Sequence, residues 1–88
     1  MKKNIKFSKF DVNYYFDFYS EFINLDYYKA DKFFNSLNNS SRKCLFVIRE
    51  CYIENLSYHP YFNWHTAFYL RRKFYKFKKN LFRSFLWL

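Results

Sequence analysis

Ala67, Leu70, Phe74, Phe77, Leu81, Phe85 and Leu88 recur at steps of three or four residues, the spacing of one face of a helix. Between them, Arg71, Arg72, Lys73, Lys76, Lys78, Lys79 and Arg83 fall mostly on the opposite arc, with no acidic residue among them. This spacing predicts a long amphipathic helix, beginning at Tyr61 or Asn63, whose apolar side needs a protein support and whose basic side needs anions. Upstream, Tyr15, Phe18, Tyr19, Phe22 and Ile23 line one side of a helix that Asp11 can cap and that runs through Leu25. Asp17, Ser20, Glu21 and Asn24 line its other side. Asp26 offers a second cap, and Tyr27, Ala30, Phe33, Phe34 and Leu37 continue the helical period, so two helices with a break near Asp26 are expected.

Asn38-Asn39-Ser40-Ser41 reads as a non-helical link, with Ser41 capping a third segment over Arg42 to Leu56. There Cys44, Leu45, Ile48, Tyr52 and Leu56 share a face. The run Cys44 to Ile48 would also suit a buried strand, but the helical period continues past it. Ser57 to Asn63 is a turn centred on His59-Pro60, because the residue before proline avoids helical geometry. The fold class expected is all-α. The picture is a small, irregular helical protein with a long basic amphipathic C-terminal helix, ordered within a larger assembly. Residues 1–10 form a basic tail (Lys2, Lys3, Lys6 and Lys9), either solvated or an arm that orders on RNA. Residues 11–88 form one small helical domain.

Charge sharpens this picture. The chain of 88 residues carries a formal net charge of +9, and every acidic residue lies at or before Glu54. Such an excess makes a polyanion the expected partner, and its asymmetry points to nucleic acid or an anionic membrane surface. No stretch of eighteen apolar residues exists, so no transmembrane segment is expected. The beginning of the chain has neither the apolar run of a secretory signal nor the arginine- and serine-rich pattern of an import sequence. Aromatic residues make up 30% and glycine is absent. Phe, Tyr, Asn and Lys are encoded by AT-rich codons, so mutational pressure in an AT-rich genome accounts for the bias. Its physical consequence is a core of rings, with Asn and Ser making the turns.

Little in the chain suggests catalysis. Cys44, Cys51, His59 and His65 are enough donors for zinc, but seven helical residues would hold the two cysteines roughly 10 Å apart, too far for one tetrahedral ion. Buried thiols are the expectation, with no metal and no cofactor. Asp17 and Glu21 lie one helical turn apart and form a solvated face that can balance the basic helix, without the pocket that acid–base chemistry needs. Tyr69, Tyr75 and Trp87 lie nearest the basic arc and are the candidates for stacking on unpaired bases. The chain is not expected to be an enzyme.

Two stretches carry a family resemblance. Leu37 to Arg49, with its paired serines, Arg42, Cys44 and the later Arg49, resembles the central part of the bacterial-type small-subunit ribosomal protein family fourteen. Phe68 to Lys76 is similar to that family's second signature, and Trp87 to its terminal tryptophan. The family's glycine-containing turn after the cysteine has no counterpart here. More broadly, the composition resembles that of short proteins encoded in the mitochondrial genomes of some protists. The resemblance implies a structural protein of the mitochondrial matrix, a ribosomal constituent that contacts ribosomal RNA and neighbouring ribosomal proteins. It implies that Arg42, Arg49, Arg72 and Lys76 meet RNA. Adding the charged arc, the candidate RNA-binding residues are Arg42, Lys43, Arg49, Arg71, Arg72, Lys73, Lys76, Lys78, Lys79 and Arg83. The alternative is a non-catalytic accessory subunit of an inner-membrane respiratory or ATP synthase complex, with the last helix on the bilayer surface.

Overall fold

The computed structural model describes the backbone of residues 9–86 and the side chains of residues 9–81. A short 3₁₀ turn, Val12–Tyr15, leads directly into α1 (Phe16–Ile23), and α2 (Tyr27–Asn35), α3 (Asn39–Glu54) and α4 (Trp64–Leu86) follow. The expected all-α class is what is observed. Among the described residues there is no strand, so the helical period of Cys44 to Ile48 prevails over the strand reading.

Side-chain caps set the boundaries. The Asp11 carboxylate accepts from the Asn13 amide at 2.9 Å and starts the 3₁₀ turn. The break near Asp26 is present: Asn24 and Leu25 bond back to the carbonyls of Glu21 and Phe22, and Asp26 then accepts from the Lys29 amide at 2.8 Å. At the end of α2, Arg42 donates to the carbonyls of Phe34 and Asn35 at 3.2 and 3.3 Å. It thereby satisfies two acceptors that the helix terminus would otherwise leave open.

The Asn38–Ser41 link does not form as expected. Asn38, not Ser41, is the cap, its side-chain oxygen accepting from the Ser41 amide at 2.9 Å, and helix α3 already begins at Asn39. Two capping registers three residues apart competed. The earlier one buries Ser41 and places Arg42 within reach of the end of α2. The third helix also ends at Glu54, two residues short of Leu56. Asn55 takes the left-handed conformation (φ 57°, ψ 46°), and the Leu56 amide reaches back to the Cys51 carbonyl at 2.8 Å. That closure usually falls to glycine; in a glycine-free chain asparagine supplies it.

The core is aromatic. Phe74 of α4 lies with its ring centroid 5.2 Å from those of Phe18 and Phe33 and 6.2 Å from that of Phe22. Tyr15, Tyr19, Leu37, Cys44, Leu45, Ile48, Ala67 and Leu70 complete the buried cluster. Ring pairs in such tilted and edge-to-face arrangements add to the burial energy. Cys44 and Cys51 are free thiols on the buried side of α3. Burial pushes the Cys44 thiol up to about 12 and raises that of Cys51, with Glu50 and Glu54 adding to the rise. Three expected core positions lie outside: Ile23 and Tyr27 are exposed, as is Leu56 beyond the end of α3. Among the described residues, no helix is long and apolar enough to cross a membrane.

Candidate nucleic-acid interface

The foundation of the candidate interface is the docking of α4. Asn63 caps it, accepting from the Thr66 amide at 3.1 Å. The preceding turn is held by His59, whose Nδ1 accepts from the Tyr61 amide at 3.1 Å and whose Nε2 lies 3.2 Å from Glu50. An accepting Nδ1 has no proton, so the neutral ring carries its proton on Nε2 and donates it to Glu50. His59 is therefore a structural clamp between α3 and the start of α4. Lys9 sits against the same stretch, its ammonium 4.6 Å from the Trp64 ring and 5.3 Å from that of Phe68. Its carbonyl accepts from the Tyr15 hydroxyl at 2.9 Å.

Ala67, Leu70 and Phe74 are buried, with Phe77 and Leu81 partly so, and these fix the rotation of α4. At about 100° per residue, Arg71 and Lys78 flank that seam while Arg72 points directly away from it, with Lys76 and Lys79 to either side. The structure divides the basic arc accordingly.

On the inner flank, the Arg71 guanidinium packs 4.7 Å from the Tyr14 ring and 5.0 Å from the Tyr75 ring. Its Nε is buried without a hydrogen-bond partner among the described residues. The Tyr75 hydroxyl donates to Glu21 at 3.3 Å, and Lys78 forms an ion pair with the same carboxylate. Burial first, then Glu21, raises the Tyr75 phenol above its ordinary value, with Asp17 adding a smaller push. Glu21 of α1 is thus turned toward α4, while Asp17 of the same face stays exposed.

The outward flank is different. Tyr69, Arg72, Lys73, Tyr75, Lys76 and Lys79 line an open depression of about 670 Å³. Arg72, Lys73, Lys76 and Lys79 form no salt bridge among the described residues. From Tyr69 to Lys79 the helix rises about 15 Å, so four cations stand within two Debye lengths at physiological salt. An anion threaded along this surface would meet positive charge at every turn.

The remaining candidates are dispersed. Arg42 is engaged at the end of α2, as described above. Lys43 lines a separate hollow with Tyr61, Asn63 and Thr66, and Arg49 lines another with Tyr27, Phe34 and Phe46. The ten basic residues therefore do not share one face. Arg83 and Trp87 lie outside the described side chains. Of the stacking candidates, Tyr75 is tied to Glu21 and Tyr69 is exposed. The intramolecular ties of Arg42, Arg71 and Lys78 had no sequence signal beyond the acid residues of α1, because they depend on which helices meet. Comparison with known protein families, curated proteins and solved structures finds no match to this chain.

Proposed function

We propose that this chain is a structural, non-catalytic constituent of a mitochondrial ribosome, binding ribosomal RNA phosphates along the outward flank of α4. The observation that carries this reading is the set of four cations, exposed Arg72, Lys76 and Lys79 with half-buried Lys73, along one open flank with no carboxylate paired to them among the described residues. Phosphates match that stripe in charge and give up counterions on binding, which makes the association strong at low salt and steeply salt-dependent. The ribosomal and mitochondrial assignments rest on the sequence resemblance and the AT-rich composition. Exposed Tyr27, Phe46, Tyr58 and Tyr61 are the rings that neighbouring proteins would cover in such a particle.

Binding of ribosomal RNA across a salt series tests this. The full chain should show a linear log–log dependence. The Arg72→Ala, Lys76→Ala, Lys79→Ala variant should lower its slope by roughly 0.7 to 0.9 for each phosphate that is no longer neutralised. Equal slopes would end the phosphate reading. In the native organelle the chain should sediment with ribosomal RNA; retention in detergent-solubilised inner membrane, with tight binding to anionic vesicles, would instead place the stripe on lipid.

A further inference from the structure

We infer that the outward flank takes unpaired nucleotides rather than a regular duplex, with Tyr69 as the platform on which one base stacks. The inference rests on the RNA-binding reading above and specifies its ligand. Tyr69 is 53% exposed and forms one end of the depression whose other lining includes Arg72, Lys73, Lys76 and Lys79. These cations follow it at i+3, i+4, i+7 and i+10, so on a helix they continue from the ring along one side. The Lys73 ammonium stands 5.8 Å from the Tyr69 ring centroid, so this face of the ring is held by a mobile cation that a phosphate can compete for. Among the described residues, the other ring lining the depression is that of Tyr75, whose hydroxyl is held by Glu21 and whose ring is met by Arg71.

The chemistry separates the two kinds of RNA. A duplex offers phosphates to a basic helix but keeps its base faces stacked inside, so an exposed tyrosine in the track gains nothing from it. A loop or bulge can splay a base onto the ring while its flanking phosphates reach the cations one and two turns along. When a phosphate draws Lys73 off the ring, it uncovers the face that the base then occupies. Stacking is tolerant of base identity, so the stripe should prefer unpaired RNA with little sequence preference.

The test is fluorescence anisotropy of the full chain with a labelled uridine 12-mer and a labelled perfect RNA duplex of equal length, over a salt series. The wild type, Tyr69→Leu, Tyr69→Phe and Lys76→Ala, Lys79→Ala variants are compared, with thermal melts to show that each folds. Tyr69→Leu should weaken binding of the 12-mer by about five- to 150-fold, leave its salt slope unchanged and leave duplex binding unchanged. Tyr69→Phe should keep most of the affinity, since it keeps the ring. The lysine variant should lower the slope for both RNAs. Equal effects of Tyr69→Leu on both RNAs, or none on either, would overturn the stacking inference while salt-dependent binding left the phosphate reading standing. Binding of neither RNA by the wild type would overturn both.

Discussion

Arg71 and Arg72 are neighbours in sequence and part company in structure. Arg71 turns toward the 3₁₀ turn and α1, where its guanidinium is sandwiched by Tyr14 and Tyr75. Arg72 turns to solvent among Lys73, Lys76 and Lys79. The inner flank of α4 uses cations as structural groups, with rings and the Glu21 carboxylate as their partners. The outward flank leaves the same residue types without acidic partners among the described residues, and that is the property a polyanion reads. A stretch of basic sequence is therefore not one binding surface. The rotation fixed by Leu70 and Phe74 decides which charges are consumed within the fold and which are presented to a ligand.

The largest disruption of this division should come from Phe74→Ala. Loss of a buried phenylalanine typically costs about 3–5 kcal/mol, and this one meets Phe18, Phe22 and Phe33 at once. Chemical denaturation should show a destabilisation of that order, and Cys44, protected in the native protein, should become reactive toward a thiol reagent. Unchanged stability would mean that α4 is not docked through this ring.

Alkali should loosen the buried side by titration. The Cys44 thiol is held at about 12 by burial, against an ordinary 9.0. Below pH 9 its contribution to stability is fully present. Above pH 9 the unfolded chain releases a proton that the native chain retains, so stability falls as pH rises toward about 12. Denaturant midpoints over this range should fall less steeply in Cys44→Ala than in the wild type. Parallel falls would show that the thiol does not titrate differently in the two states.

A sharper comparison sets Arg71→Ala against Arg72→Ala. Removing Arg71 should cost about 1–2 kcal/mol, because it empties the space between two rings, with little change in the salt slope of RNA binding. Removing Arg72 should change stability by less than about 0.5 kcal/mol and lower the slope by roughly 0.7 to 0.9. Melts and salt-dependent binding on the same preparations check both, and the same response from both variants would erase the distinction between the flanks.

The smallest effect is expected from Glu21→Gln. The Lys78 and Glu21 side chains are 39% and 41% exposed, so solvent screens their pair and its loss should cost under about 1 kcal/mol. Glutamine can still accept from the Tyr75 hydroxyl. Lys78 would then be released to join the binding surface, steepening the salt slope by at most about one phosphate's worth. A shallower slope would show that Glu21 helps to position the outward cations.

Apolar period and charge pattern by themselves determined the helical class, the break at Asp26 and the apolar seam from Ala67 to Phe74. These are local properties: a capping oxygen needs only a donor amide two or three residues away, and a seam needs only spacing. The absence of glycine likewise implied that Asn and Ser would make the turns, but not where: the link expected at Asn38–Ser41 is mostly helical, and the left-handed turn falls at Asn55, which the helical period places inside the third helix. The start of α3 was less legible, because Asn38 and Ser41 are both competent caps. The choice between them followed from interactions beyond the helix: Arg42 reaching the end of α2 and Ser41 entering the core. Only the tertiary structure divided the basic residues. Whether a lysine is free or paired depends on which side chains another helix brings within a few ångströms, and Glu21 and Lys78 are 57 positions apart. The sequence supplied the charges; the packing of α1 on α4 determined which of them remain facing solvent.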